Sequence, residues 1–398
     1  MHALSRIVLW LDWLVAAAWL LRVLTWRRLL RRVPDLLQLG ELPSSHPLPC
    51  LTVVVPARNE AASIAATLES LVNSQGVRLE ILAVDDRSED RTGAIMDETA
   101  RRLASLAGQG ITLRVLHIAE LPSGWLGKTH AMALAARQAA GEWLLFTDGD
   151  VLFHPDALRR ALELALADHA DHFVLMPTLL MESWGERMML SFLNVVTVWA
   201  IRLWRVPDPR SLRDAVGVGA FNLIRREVYD ALGGWEAFRM EVVEDLALGL
   251  AVKKKGFAQR VAFGRGLIRV RWAEGAFGVM GNLSKNLFAF FHYRPELLLS
   301  FLPVFALFTL FPLAAAAAGQ MALAASCIAV FAIWLDYERQ AEYQPFSAWQ
   351  TLLYPAASVL MLYTMFRSMA VVLWRRGVFW RGTFYPLSDL RRQAGERG

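Results

Sequence analysis

LTVVVPARNE at 51–60, EILAVDD at 80–86 and EWLLFTDGD at 142–150 share one design: a short run of apolar residues that stops abruptly at charged or polar ones. Short continuous apolar runs separated by helical patterns read as strands buried on both faces of a parallel sheet. In an open sheet of that kind, ligands bind outside the carboxyl ends of the strands. Pro56, Arg58 and Glu60, then Asp85 and Asp86, then Asp148 and Asp150 are therefore expected along one edge, around one crevice. Carboxylates gathered in this way repel one another unless a cation neutralises them, and a divalent ion carrying a phosphate ligand is the usual solution.

Outward from these runs, strand and helix alternate. Strands are expected at 51–55, 80–84, 112–117 and 143–146, with helices at about 60–73, 91–106 and 128–140 between them. Further strands are expected at 173–176 and 216–224. This is an α/β, doubly wound sheet of nucleotide-binding character. No Gly-rich fingerprint follows the first strand, which excludes the dinucleotide-binding and P-loop versions.

With 55% hydrophobic residues and a mean hydropathy of +0.34, the 398-residue chain is too apolar for a soluble enzyme of its size. Residues 7–24 are apolar except for Asp12 and Arg22, and Arg27, Arg28, Arg31 and Arg32 follow. That stretch is long enough to span a bilayer, and its arginine flank belongs in the cytoplasm. A cleaved signal peptide would carry its charge on the other flank and end in a small-residue site. Three more apolar stretches lie at 297–318, 321–335 and 351–374. Asp336, Glu338 and Glu342 stand between the last two, and Arg375, Arg376 and Arg381 follow the third. Three crossings would leave that basic tail outside, whereas the positive-inside rule wants it inside. Either one of the first two stretches is interfacial or re-entrant, or the two form one irregular crossing. Residues 188–204 carry Trp199 and Trp204 with Arg187, Arg202 and Arg205 near the ends, which suits a helix lying in the interface. The expected organisation is an anchor at 1–33, a linker at 34–50, a catalytic part at 51–295, a membrane region at 296–376 and a basic tail at 377–398. The net charge of +5 sits near apolar segments and suits the anionic headgroups of the lipid bilayer. Nucleic acid is not an expected partner, since no basic stripe is interleaved with stacking aromatics. Cys50 and Cys327, far apart, suggest neither a disulfide framework nor a zinc site.

VVVPARNE, the VDDRS turn, LPSGWLGKTHAM, FTDGD and VVEDLALG run in this order over roughly residues 51–272. Together they resemble the motif series of family-two inverting glycosyltransferases with the GT-A fold. GWLGK, the apolar flanks and the closing WRGTFYPL resemble the membrane-bound, lipid-modifying branch, which includes ceramide glucosyltransferases and hopanoid- and carotenoid-associated glycosyltransferases. The resemblance implies an inverting hexosyltransferase that uses a UDP-sugar, Mg²⁺ or Mn²⁺, and a membrane lipid acceptor. It also implies a multi-pass protein of the inner membrane with its catalytic domain in the cytoplasm.

Each motif also has a physical reading. Such a reaction needs a site for base and ribose, a divalent ion at the leaving diphosphate, and a base for the acceptor hydroxyl. Pro56, Arg58 and Glu60, with Asp85 or Asp86, would hold uracil and ribose. Asp148 and Asp150, two apart across Gly149, can both turn toward one metal ion. Lys128 opens a helix, where free backbone donors and a cation suit a phosphate; His130 serves packing at least as readily. Glu244 and Asp245 open another helix, closed by Lys253, Lys254 and Lys255, so capping alone would account for both acids. The family's base is the aspartate of this pair, which maps to Asp245, with Glu244 the neighbouring candidate. The helix start is expected to keep Asp245 ionised. Arg271 and Trp272 match the end of the Gln-x-x-Arg-Trp sequence of processive relatives, as contacts to diphosphate or acceptor. Ile268 stands where those relatives carry Gln, which favours transfer of one sugar over a polysaccharide synthase. A nucleotidyltransferase would want a basic triphosphate loop that is missing. A transporter or membrane scaffold would want more polar spans.

Overall fold

The computed structural model describes residues 2–40, 47–104, 110–380 and 382–395. Residues 41–46 of the expected linker, the end of the helix expected to reach 106, Arg381, and residues 396–398 of the tail lie outside them. In chain order the strands are β1 (Leu51–Ala57), β2 (Leu79–Asp86), β3 (Ile111–Ile118), β4 (Trp143–Phe146), β5 (Val151–Phe153) and β6 (His172–Met176). They continue as β7 (Thr178–Leu179), β8 (Asn222–Arg225), β9 (Gln259–Phe263), β10 (Ile268–Val270), β11 (Gly377–Trp380) and β12 (Thr383–Pro386). The chain divides into a sheet unit, Val33–Thr178 with Ile201–Arg271, and a helical unit, Met1–Arg32 with Leu179–Ala200 and Trp272–Gly398.

In the sheet unit seven strands lie in the order β3-β2-β1-β4-β8-β6-β9. The strands β3, β2, β1 and β4 are mutually parallel, whereas β8 runs antiparallel to both β4 and β6. Every residue of β1 and of β4 is buried, as their unbroken apolar runs require. The helix Gly127–Gln138 presents Ala131, Met132, Ala133, Ala135 and Ala136 to this core, and such small side chains let it lie close to the strands. Trp235 closes the core edge-on to Phe146 at 5.0 Å. Burying an aromatic side chain of this kind stabilises by about 1.5–3 kcal/mol. A second, three-stranded sheet has the order β5-β10-β7, with β10 antiparallel to β5. The strand expected at 216–224 is shorter than its pattern: only Asn222–Arg225 pairs, and two glycines keep the preceding residues in a loop.

The helical unit holds His2–Leu29, Gln320–Gln340 and Tyr354–Arg375, and a pair, Pro295–Thr309 and Phe311–Ala315, that carries the stretch expected at 297–318. Among the described residues three helices, spanning Arg6–Arg32, Gln320–Gln340 and Ala348–Arg375, are long and apolar enough to cross a membrane. The pair is bent by 52° at its break. The helix expected at 188–204 runs from Trp184 to Ala200 and stops where Arg202 turns to form a two-pronged ion pair with the buried Asp214.

Candidate active site

Because β1, β2 and β4 are parallel, Ala57, Asp86 and Phe146 end at one edge, and Asp148-Gly149-Asp150 follows there. The antiparallel β8 brings a further segment to that edge: Asn222 stands opposite Phe146, so the loop 216–221 that precedes it arrives beside the acids. Thr147 Oγ1 donates to Ala220 O at 2.8 Å and fixes this approach.

Lys128, in the first turn of Gly127–Gln138, lies at the centre. Its Nζ is 2.6 Å from Asp148 Oδ1 and 2.6 Å from Glu244 Oε1. Burial opposes the ammonium charge, but Asp148, Glu244 and Asp245 outweigh it and hold Lys128 charged far beyond the ordinary lysine range. Asp150 is pushed up to about 7, first by burial and then by Asp148 and Glu60. Its Oδ1 is buried and accepts no hydrogen bond among the described residues. Asp245 is also pushed up to about 7, by burial and then by Glu244, against the pull of Lys128 and a 2.7 Å hydrogen bond from Leu246 N. The expectation that the helix start alone keeps Asp245 ionised is therefore corrected: burial and a like charge outweigh the dipole.

The remaining expected residues meet other partners, although Glu60 is near enough to Asp150 to raise it and Asp86 lies against Gly127, next to Lys128. Asp86 is buried in an ion pair with Arg87 Nε at 2.8 Å. Asp85 turns elsewhere, accepting from Ser88 N at 3.2 Å and meeting His117 Nδ1 at 3.2 Å. Arg58 is buried with Glu89 Oε1 3.5 Å away, Glu60 N donates to Thr92 Oγ1 at 2.8 Å, and Pro56 is buried in β1. His130 packs edge-on to Trp125 at 5.5 Å, and burial lowers its pKa. Arg271 closes the sheet unit, whereas Trp272 opens the helical unit and packs into that unit's core.

Two residues of this edge went unread in the sequence. A Cβ on Gly217 would lie 1.8 Å from Asp245 O, and one on Gly219 would lie 2.6 Å from Asp148 Oδ2 and 3.2 Å from Lys128 Nζ. Their signal is the alternation Gly-Val-Gly just before an apolar run, which marks close backbone approach rather than a strand.

A model described as "Glycosyl transferase family 2" matches residues 52–233. The chain carries a family-two glycosyltransferase domain. The 4,4'-diaponeurosporenoate glycosyltransferase of Staphylococcus aureus (strain USA300) is 26% identical over 241 residues, 60% of each chain. The enzyme of the same name from Staphylococcus haemolyticus (strain JCSC1435) is 24% identical over 237 residues, 58% of each. The match thus spans about 60% of the length of these curated relatives. Among solved structures, mannosyltransferase PcManGT from Pyrobaculum calidifontis, in complex with GDP-Man and Mn²⁺, aligns with a TM-score of 0.56 at 20% identity. That alignment covers 89% of this chain and 99% of the other, so the glycosyltransferase domain has a GT-A-like fold.

Proposed function

We propose that the chain transfers a single sugar from a UDP-sugar to a membrane lipid, with inversion at the anomeric carbon. The observation that carries this reading is the gathering of Asp148, Asp150, Glu244 and Asp245 around the Lys128 ammonium at the carboxyl edge of a family-two glycosyltransferase sheet. Asp245, poised near neutrality, takes the proton of the acceptor hydroxyl while that oxygen bonds to the anomeric carbon and the bond to the diphosphate oxygen breaks on the opposite face. Pro56, Arg58, Glu60, Asp85 and Asp86 bound the site for base and ribose, and Arg271 and Trp272 contact diphosphate or acceptor. Ile268 in place of glutamine supports one transfer per acceptor. The lipid acceptor is supported by the apolar helices and by relatives named for 4,4'-diaponeurosporenoate. The catalytic domain faces the cytoplasm of a multi-pass inner-membrane protein, where nucleotide sugars are supplied.

Among the described residues no three His, Cys, Asp or Glu side chains form a metal site by themselves. Asp148 and Asp150 nevertheless fit a divalent ion that completes its shell with diphosphate oxygens, because Asp150 has a buried oxygen without a partner among the described residues. Mg²⁺ or Mn²⁺ held there supplies positive charge to the leaving diphosphate.

The test is nucleotide release by the purified full chain across a panel of UDP- and GDP-sugars and extracted lipids. UDP release that depends on one lipid and one UDP-sugar, and is lost in Asp150→Asn, is the expected result. No release with any pair overturns the reading, and equal rates in EDTA and Mn²⁺ remove its metal.

A further inference from the structure

The Lys128 ammonium lies between Asp148 and Glu244. At 2.6 Å from Asp148 Oδ1 and 2.6 Å from Glu244 Oε1, it neutralises a carboxylate assigned above to the metal and bridges it to the helix of Asp245. The walls are close: Gly219 leaves so little room that even a methyl group there would stand 2.6 Å from Asp148 Oδ2 and 3.2 Å from Nζ. Asp150 is left with a buried oxygen that no donor reaches among the described residues. Placing a divalent ion on Asp148 while the ammonium stays would set three positive charges side by side in a partly desolvated pocket.

We propose that Lys128 and the divalent ion compete for Asp148, so that Lys128 is a resident counter-cation that has to give up this carboxylate before the metal binds. The proposal rests on the metal assignment of the preceding section and deepens it. Lys128 is then a positioning residue: it keeps Asp148 and Glu244 together and sets the threshold for metal entry. The diphosphate of the donor, which brings negative charge to this edge, is the natural acceptor of the released ammonium.

The test is Mn²⁺ binding to the full chain in detergent, followed by electron paramagnetic resonance and calorimetry with no nucleotide present. Lys128→Met keeps length and removes charge, and it should bind Mn²⁺ on the order of tenfold more tightly than the wild type or better. A lysine with only a structural role would give weaker binding when replaced. Lys128→Gln, which retains a donor for the carboxylates, should behave likewise and replaces the Met variant if that one does not fold. Mn²⁺ should also raise the melting temperature of either neutral variant more than that of the wild type. Neutral variants that bind Mn²⁺ no more tightly than the wild type overturn the proposal. So do neutral variants that stay unfolded with Mn²⁺ present, since the ion then does not replace the ammonium. Asp150→Asn in both backgrounds separates the two levels: if it leaves Mn²⁺ binding intact, the metal assignment fails whatever Lys128 does.

Discussion

Asp245→Asn should stabilise the fold while removing most of the activity. In the folded chain the carboxyl holds its proton up to about pH 7, whereas its ordinary value is 3.8. Between those values the folded chain keeps a proton that the unfolded chain has lost, so this group makes stability fall as pH rises and its full cost is present above pH 7. Three pH units correspond to about 4 kcal/mol, an upper bound because the side chain is only half-buried. Asparagine caps a helix about as well as aspartate and carries no charge to bury. Asp245→Asn is therefore expected to gain roughly 1–3 kcal/mol at pH 8 and almost nothing at pH 4, read from thermal unfolding in detergent at the two pH values. Transfer should fall by about 10²-fold or more, the scale for losing a general base. The wild-type rate should drop about tenfold per pH unit below 7 and level off above it. If the variant melts earlier at pH 8 and its folded fraction transfers sugar at the normal rate, Asp245 is only a cap, and Glu244 becomes the first candidate for the base.

His172 is buried between Asn222 Oδ1 at 2.5 Å and Gln259 Nε2 at 2.9 Å, and burial lowers it to about 4 from 6.5. The unfolded chain takes up a proton there that the folded chain refuses, so stability is expected to fall by up to about 3 kcal/mol as pH drops from 6.5 to 4, a slope that His172→Gln should flatten in the same unfolding series. Gly217→Ala should cost about 1–3 kcal/mol by overpacking and slow transfer at least about tenfold, because the clash is with the main chain of Asp245, whereas Gly40→Ala, with open space around it, should do neither. In a Cys50→Ser, Cys327→Ser background, Ala318→Cys should react with a membrane-impermeant maleimide in intact cells, and Glu342→Cys and Ser388→Cys only after permeabilisation.

The sheet was legible because strands buried on both faces leave no alternative to an apolar run, and β1, β2 and β4 start within a residue of their expected positions. The shared acidic edge followed from parallel pairing alone. Where contacts across the chain decide, spacing was silent. A lysine at a helix start reads as a phosphate ligand or a solvated charge, and nothing in GWLGK says that its ammonium will meet Glu244, 116 residues on. The direction of the Asp245 shift is hidden for the same reason: a helix start is visible in sequence, but burial beside Glu244 is not. The loop at 216–221 reads as a strand because its valines and alanine fit the pattern, although its glycines serve the approach to Asp245 and Asp148.

How the helices pair inside the helical unit bears on the conflict between three apolar stretches and a basic tail. Ser326 Oγ donates to Asp12 Oδ2 at 3.0 Å, Trp26 Nε1 donates to Asp336 Oδ1 at 2.7 Å, and Arg27 meets Glu338 at 3.1 Å. The residue numbers climb together, so His2–Leu29 and Gln320–Gln340 run in the same direction. If Arg27, Arg28, Arg31 and Arg32 face the cytoplasm, then so do Glu338 and Glu342. The chain has to cross back before Gln320, and the bent pair, Pro295–Thr309 with Phe311–Ala318, is the apolar segment available for it. Its break is a tolerable place for non-helical backbone because Trp19 Nε1 satisfies Phe308 O at 2.8 Å. Tyr354–Arg375 then begins beside Tyr337, with ring centroids 6.4 Å apart, and its far end returns to residues just ahead of the bent pair. There Arg367 donates to Ser284 Oγ at 3.0 Å, Lys285 lies 4.6 Å from the Trp380 ring, and Arg391 donates to Tyr293 O at 2.9 Å. If both ends of this helix lie on the side of Arg27, it runs along the interface although its composition would allow a crossing, and Arg375 and Arg376 stay on that side, as the positive-inside rule asks. Maleimide reaction at Ser388→Cys in intact cells would refute this assignment, because it requires Tyr354–Arg375 to cross after all.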